Sequence, residues 1–287
     1  MKKLLAIFFV FSYFALQGWC LPASAHQPRV VRGEKIAISN PEISKAYYGI
    51  LYGKPHLYKI SSNKDFKLYV NVLVPDIEGQ KKDVSVDIFK DGETIAVLNA
   101  DDQEWKKFFE PFGQSAYWQG PEFKALVKAG EYAIRVRSTE RVIKYSLAIG
   151  EIEAFDWKEG VKAILLIPDL KKHFFNESPA SFILSPLGWG YILVMHIFAF
   201  LVGFICRSIF KKFTLGSRQG FQKNIGVFDR VIRFAVWLGF LVWAIMTSWN
   251  PILLFFSGFA LYEALFCWCA LYAALGRNVY LIKSTNK

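Results

Sequence analysis

The sequence predicts a two-part chain: an all-β exported domain, read as an antiparallel β-sandwich, followed by an α-helical membrane domain of three transmembrane helices. Three observations carry this. Short strand-like runs fill the stretch from Leu57 to Gly150, three long apolar runs follow Gly188, and charge is sorted by position. The chain has 287 residues and a formal net charge of +11, from 35 Lys and Arg against 24 Asp and Glu. Residues 26–187 hold 23 of those basic and 22 of the acidic residues, so this part is close to neutral. The excess sits at Lys2 and Lys3, between Arg207 and Arg233, and from Arg277 onward, in each case beside an apolar run. Basic residues within roughly 15–20 positions of a span bias its orientation. That placement, rather than a basic stripe on a folded surface, argues against nucleic acid as a partner.

The elements follow in order. Residues 1–25 read as a secretory signal: two lysines, an apolar stretch from Leu4 to Leu16, then Ala23-Ser24-Ala25 before an expected cleavage at His26. The remaining cysteines, Cys206, Cys267 and Cys269, lie outside the exported part, which therefore folds on hydrophobic burial without disulfides. Residues 26–155 form the expected sandwich. Its strands are read at LYKIS, FKLYVNVLVP, DVSVDIF, TIAVL, EYAIRVRS and YSLAIG, separated by turn signals at Asp91-Gly92, Gly120-Pro121 and Ala129-Gly130. No His-x-x-x-His or Cys-x-x-Cys spacing offers a metal its ligands, and His26 and His56 lack a nucleophile in a recognisable frame, so neither a catalytic site nor a cofactor is expected.

The run from Trp105 to Phe123 is dense in rings and broken by Pro111 and Pro121, which reads as a long connection rather than a strand. Trp105, Phe109, Phe112, Tyr117 and Trp118 are its candidate contacts to an exported protein or a glycan; the alternative is a loop whose rings fold onto the core. The segment AGEYAIRVRSTERVIKYSLAIG, residues 129–150, resembles the closing hairpin of the bacterial pre-peptidase C-terminal type of β-sandwich. That likeness implies an ancillary binding or spacer module, with a Gly-x-Tyr strand paired to a Tyr-x-Leu strand. Residues 156–187 read as an amphipathic membrane-proximal linker suited to the bilayer surface.

The membrane domain is expected as helix 188–206, a basic cytoplasmic loop 207–230, helix 231–249, helix 250–276 and a cytoplasmic tail 277–287. Each apolar run spans about 30 Å at 1.5 Å per residue. Export of residue 26 and the positive-inside rule then give one orientation, with the C-terminus inside a bacterial cytoplasmic membrane. Trp189, Tyr191 and Trp249 fit an interfacial belt, and Ala199/Gly203, Ala235/Gly239 and Ala260/Ala264 are small pairs that allow close helix contact.

NIGVFDRVIR, residues 224–233, and CALYAALGRN, residues 269–278, enclose an apolar hairpin. This arrangement resembles the YgaP-type inner-membrane domain, a helical hairpin of unknown function that some relatives carry fused to a rhodanese. The likeness implies self-association through the hairpin. Relatives usually show proline where this chain has Ala270, so a kink at that point is not expected. Asn224 is expected to cap the incoming helix, Asp229 to pair with Arg233, and Arg230 and Arg233 to meet lipid headgroups. On the last helix Tyr262, Leu265, Cys269, Tyr272 and Gly276 follow spacings of three and four and share one stripe, and Cys267 and Cys269 face different neighbours.

His196 and Glu263 are the ionisable groups at membrane depth besides the thiols, and their similar depth allows a contact between them. With Cys269 and Tyr272 they are the intramembrane candidates. Two functions follow: an envelope protein whose exported sandwich binds a partner or ligand, or a small transport or sulfur-handling protein using Cys269, Glu263 and His196.

Overall fold

The computed structural model describes residues 26–101, 104–111, 113–154, 156–213 and 223–280. The expected signal peptide, Phe112, and parts of the expected basic loop and tail lie outside them. The chain divides into a β-rich unit, up to Pro186, and a helical unit from Leu187.

Among the described residues, eleven strands build the β-rich unit: β1 Gln27–Val30, β2 Lys35–Ile38, β3 Lys45–Leu51, β4 His56–Ser62, β5 Phe66–Pro75, β6 Ser85–Lys90, β7 Glu93–Leu98, β8 Lys106–Glu110, β9 Ser115–Val127, β10 Gly130–Arg137 and β11 Ile143–Ile149. They form a six-stranded sheet in the order β1-β3-β11-β5-β9-β8 and a five-stranded sheet in the order β2-β4-β10-β6-β7. The period-two pattern decides which side chains go inward. On β10, Tyr132, Ile134 and Val136 are buried, whereas Arg135 and Arg137 point out and grip Asp87 of β6. On β5, Phe66, Leu68, Val70, Val72 and Val74 are all buried. These side chains belong to one apolar cluster that draws on both sheets. Each fully buried aliphatic side chain contributes about 1.5–3 kcal/mol relative to exposure.

Three expectations change here. The sheets are not purely antiparallel, because β1 pairs parallel to β3 and β2 parallel to β4. The strands of segment 129–150 do not form a hairpin: β10 lies between β4 and β6 in one sheet, and β11 between β3 and β5 in the other. The aromatic run is not a long connection either, since β8 and β9 are paired antiparallel across it. Pro121 is accommodated within β9 where the β5–β9 register shifts between Asn71 and Leu73, and Asn71 Nδ2 donates to the carbonyls of Gly120 and Pro121.

The expected linker contains three helical elements. Helix α1, Trp157–Asp169, opens on Asp156, whose carboxylate accepts from the Glu159 amide. It runs through Pro168 into a π-helical turn, Leu170–Phe174, followed by a 3-10 turn, Pro179–Leu184. Leu170 and Phe174 of the π-helical turn, with Phe175 after it, pack with Leu73, Tyr117 and Ala148 of the six-stranded sheet, while Trp157, Val161 and Leu165 of α1 are exposed.

The helical unit contains α2 Pro186–Phe213, α3 Val227–Thr247, α4 Pro251–Phe266 and α5 Ala270–Ala274. Two of these are long and apolar enough to cross a membrane, over Pro186–Phe210 and Val227–Thr247. Their exposed side chains include Phe198, Leu201, Val231, Leu238, Val242 and Trp243. The third apolar run is not one helix. α4 has 16 residues, about 24 Å at 1.5 Å per residue, and stops short of a full span. Close contacts use only part of the small-residue set. A Cβ on Gly258 would lie 2.9 Å from His196 Cα and 3.0 Å from Ala199 Cβ, and one on Gly203 would meet the Tyr262 ring, while Ala235 and Gly239 face outward. Trp189 is exposed as a belt residue requires, but Tyr191 and Trp249 are packed inside the unit.

Candidate functional site

The rings of the aromatic run are divided between two faces and do not form one platform. Tyr117 is buried; its hydroxyl lies 3.1 Å from that of Tyr48 and its ring meets Phe175 edge-on. Trp105 points the other way, donates Nε1–H to the Ala100 carbonyl at 2.8 Å, and lies over Gly120, where a Cβ would come within 2.7 Å of the indole. Trp118 donates to Asp76 Oδ1 at 2.9 Å, and the ammonium groups of Lys82 and Lys107 stand 3.3 and 4.9 Å from the centre of its ring. Phe109 alone of the described rings is open to solvent, at 55%. A stacking platform would need adjacent free ring faces; the adjacent cross-strand pair, Phe108 and Tyr117, is instead packed in the cluster with Leu170, Phe174 and Phe175.

A wider hollow of the β-rich unit lies elsewhere. It is a cleft of about 470 Å³ lined by Val30, Val31, Ile50, Tyr48, Tyr52, Leu170 and Phe174, with Glu34, His56, Asp169 and His173 around it. β1 and β3 supply one wall and the π-helical turn the other. His173 Nε2 lies 3.6 Å from Asp169 Oδ1, and Lys54 pairs with Glu34 at 3.3 Å. His56 is held from behind: Nδ1 is 2.7 Å from the Tyr145 hydroxyl, which is 2.8 Å from that of Tyr58. Burial lowers the pKa of His56, with Glu34 opposing, and raises that of Tyr145. The resulting neutral chain ties β4 to β11 across the core, and Gly49 leaves room for the Tyr145 ring. The residues of this cleft carry no spacing signal in sequence, because it is made by bringing the segment after Pro168 back onto the edge of the sheet.

In the helical unit the decisive residue is Asn224. Its Oδ1 accepts from the Cys269 amide at 2.8 Å and its Nδ2 donates to the Cys269 carbonyl at 2.9 Å. The Cys267 carbonyl accepts from the amides of Asn224 and Ile225. Together these groups satisfy the backbone of a helix break: Cys267 is left-handed, with φ 55°, and Cys269 is extended. α5 then closes on Gly276 with the Gly276 amide on Ala273 and the Arg277 amide on Tyr272, a Schellman arrangement.

Residues 221–283 match the family model of the YgaP-like inner membrane protein transmembrane domain.

No curated protein matches the chain. Among solved structures it is similar to the pre-peptidase C-terminal domain of a collagenase from Bacillus anthracis, at 10% identity over 44% of this chain and 95% of that one, with a TM-score of 0.24. A β-glucosidase from Paenibacillus barengoltzii is similar at 8% identity over 44% of this chain and 13% of that one, with a TM-score of 0.23.

Within the YgaP-like segment the structure rearranges the expected contacts. Asn224 clamps Cys269 instead of capping α3, whose N-cap is Gly226. Arg233 and Asp229 approach to 3.9 Å, but the closer partner of Arg233 is Glu263, with Nε 2.9 Å from Oε2. Arg230 donates to the Ala264 carbonyl at 2.9 Å, so both arginines turn onto the end of α4 rather than reaching freely for headgroups. The Cys269 side chain lies beside Glu263 and Arg233, and the Tyr272 ring lies 5.2 and 5.1 Å from the guanidinium groups of Arg233 and Arg277. The break interrupts the expected stripe through Tyr262, Leu265, Cys269 and Tyr272, and Cys267 and Cys269 do not share one helix. Glu263 does not pair with His196. That imidazole sits at 2.9 Å from the Ile192 carbonyl through Nδ1 and accepts from Trp237 Nε1 at 3.1 Å, which calls for a neutral ring protonated at Nδ1.

Proposed function

We propose that this chain is a membrane-anchored envelope protein that acts by binding, with its β-rich unit exported and folded as a sandwich. The observation that carries the reading is the cleft beside β1 and β3, where aliphatic and aromatic walls converge on a few polar groups in the manner of ligand and peptide sites. His56 is engaged by Tyr145, and that tyrosine by Tyr58, which leaves orientation of a bound group as the role of the polar rim. The carboxylates of Glu34 and Asp169 disfavour nucleic acid as the occupant. In this reading residues 1–25 direct export, 26–155 form the sandwich, 156–187 the membrane-proximal segment, and 188–287 the membrane domain with its basic loop and tail in the cytoplasm. The outward Ala235/Gly239 pair supports self-association of the hairpin.

The transport or sulfur-handling alternative is supported by the contact of Cys269 with Glu263 and Arg233. It loses its third member, because His196 is engaged by Trp237.

A photocrosslinking residue in place of Tyr52, which is 70% exposed at the cleft, is expected to capture a reproducible partner in intact membranes. The same probe at Phe109 is expected to capture less. Equal or stronger capture from Phe109 would place binding on the aromatic hairpin and remove the cleft from the account.

A further inference from the structure

A second hollow, of about 190 Å³, lies between the outer face of the six-stranded sheet and α1 with its π-helical turn. It is several times larger than one water needs and smaller than a drug-sized pocket. Its lining is polar for an interior site: Asn71, Gln119, Ser115, Ser146, Tyr48 and Tyr117 contribute amides and hydroxyls, and rings and aliphatic side chains complete the wall. Asn71, Ser115, Ser146 and Tyr117 are each at most 3% exposed.

The hydrogen bonds around this hollow leave several groups unspent. Asn71 gives its amide hydrogens to Gly120 and Pro121, and its oxygen receives only a long contact of 3.4 Å from Gln119. Tyr48 and Tyr117 share one hydrogen bond, which leaves one of their two protons unspent. The Ser146 hydroxyl has no protein partner among the described residues. The ionic groups, by contrast, are engaged. Lys171 is fully buried, and its ammonium meets Gln114 O at 2.9 Å, Ser115 Oγ at 3.4 Å and Glu177 Oε2 at 2.8 Å, which uses all three donors. Glu110 accepts from the Gly113 amide at 2.6 Å.

We propose that this cavity binds one neutral, polyhydroxylated molecule of monosaccharide size. Hydroxyl groups both donate and accept, and so match the unspent groups on the sheet; an anionic ligand would find the Lys171 ammonium already paired with Glu177 and would be buried without a counter-charge at high cost. The site shares Tyr48 and Leu170 as a common wall with the cleft of the functional proposal, and its occupancy does not depend on that proposal.

The test is saturation-transfer NMR with thermal unfolding on the full chain in nanodiscs, prepared without sugar-headed detergents. The probes are D-glucose, N-acetyl-D-glucosamine and myo-inositol, with D-glucuronate as the charged comparison. At least one neutral probe is expected to bind saturably, at least tenfold more tightly than glucuronate. Ser146→Val, which replaces the hydroxyl by methyl groups, is expected to weaken binding at least tenfold, and Ala148→Leu to abolish it by filling the space. Tyr52→Ser, in the cleft, is expected to leave it unchanged. Far-UV circular dichroism verifies the fold of each variant, and Ser146→Val carries the test if Ala148→Leu fails to fold. The proposal is overturned if no neutral probe binds the folded chain, if glucuronate binds as well as they do, or if Ser146→Val binds undiminished.

Discussion

Asn224→Ala is expected to open the helix break in the membrane unit. The substitution removes both side-chain hydrogen bonds to Cys269 and leaves that residue's amide and carbonyl buried without their partner. Each such loss costs about 1–3 kcal/mol, so the total is roughly 2–6 kcal/mol. In a bilayer the backbone has no water to turn to, and irregular backbone there persists only where protein satisfies it. Two readouts follow. Cys269, buried in the native chain, should become reactive to a maleimide above the background of the other thiols. The near-UV signal from Trp268, which is fully buried at the break, should weaken. Cys269→Ser keeps every backbone contact and is the matched control, expected to leave the Trp268 signal in place. Native-like thiol protection in Asn224→Ala would show that the clamp is dispensable.

Gly150→Ala is expected to damage the β-rich unit comparably. Gly150 has φ +81° just after β11, and a Cβ there would lie 2.5 Å from the Ile43 carbonyl oxygen and 2.7 Å from the Glu42 carbonyl carbon. Both are backbone atoms, fixed by the Glu151 and Ile152 amides on Glu42 O and by the Ser44 amide on Ile152 O. A left-handed non-glycine residue costs on the order of 1–3 kcal/mol by itself, and the overlap adds to it, so a loss of about 3 kcal/mol or more is expected. Gly33→Ala separates the two effects. Gly33 also has positive φ, +101°, but a Cβ there would meet nothing within 4 Å. Thermal unfolding should therefore fall sharply for Gly150→Ala and modestly for Gly33→Ala; equal shifts would mean that the contact with Ile43 relaxes freely.

Sequence pattern located the six strands from β4 to β7 and at β10 and β11, because each alternates or runs apolar with many β-branched and aromatic residues. It passed over β1 to β3, where Pro28, Gly49 and the lysines at 35 and 45 dilute the alternation. It missed the β8–β9 hairpin because Pro121 argues against a strand, and only the register shift opposite Asn71 makes room for it. The segment 129–150 reads as a local hairpin, yet strand partners are chosen by the whole core and sent β10 and β11 to different sheets. In the membrane part, hydropathy counts apolar residues and is blind to a break that involves no proline. The break at Cys267 is made by Asn224, 45 positions before the Cys269 backbone it holds. The Glu263–Arg233 pair was hidden for a similar reason: Asp229 offered Arg233 a partner on its own helix, and the better-placed one came from α4. Neither hollow was legible, since both depend on where α1 and its π-helical turn lie against the sheet.

The central claim is that the β-rich unit stands outside the membrane with its cleft accessible. Tyr52→Cys and Arg277→Cys, each probed with a membrane-impermeant maleimide and compared with the unsubstituted chain, test that arrangement directly. The account predicts labelling of Tyr52→Cys in intact spheroplasts and of Arg277→Cys only after lysis. Labelling of Arg277→Cys in intact spheroplasts, with Tyr52→Cys protected until lysis, would contradict it.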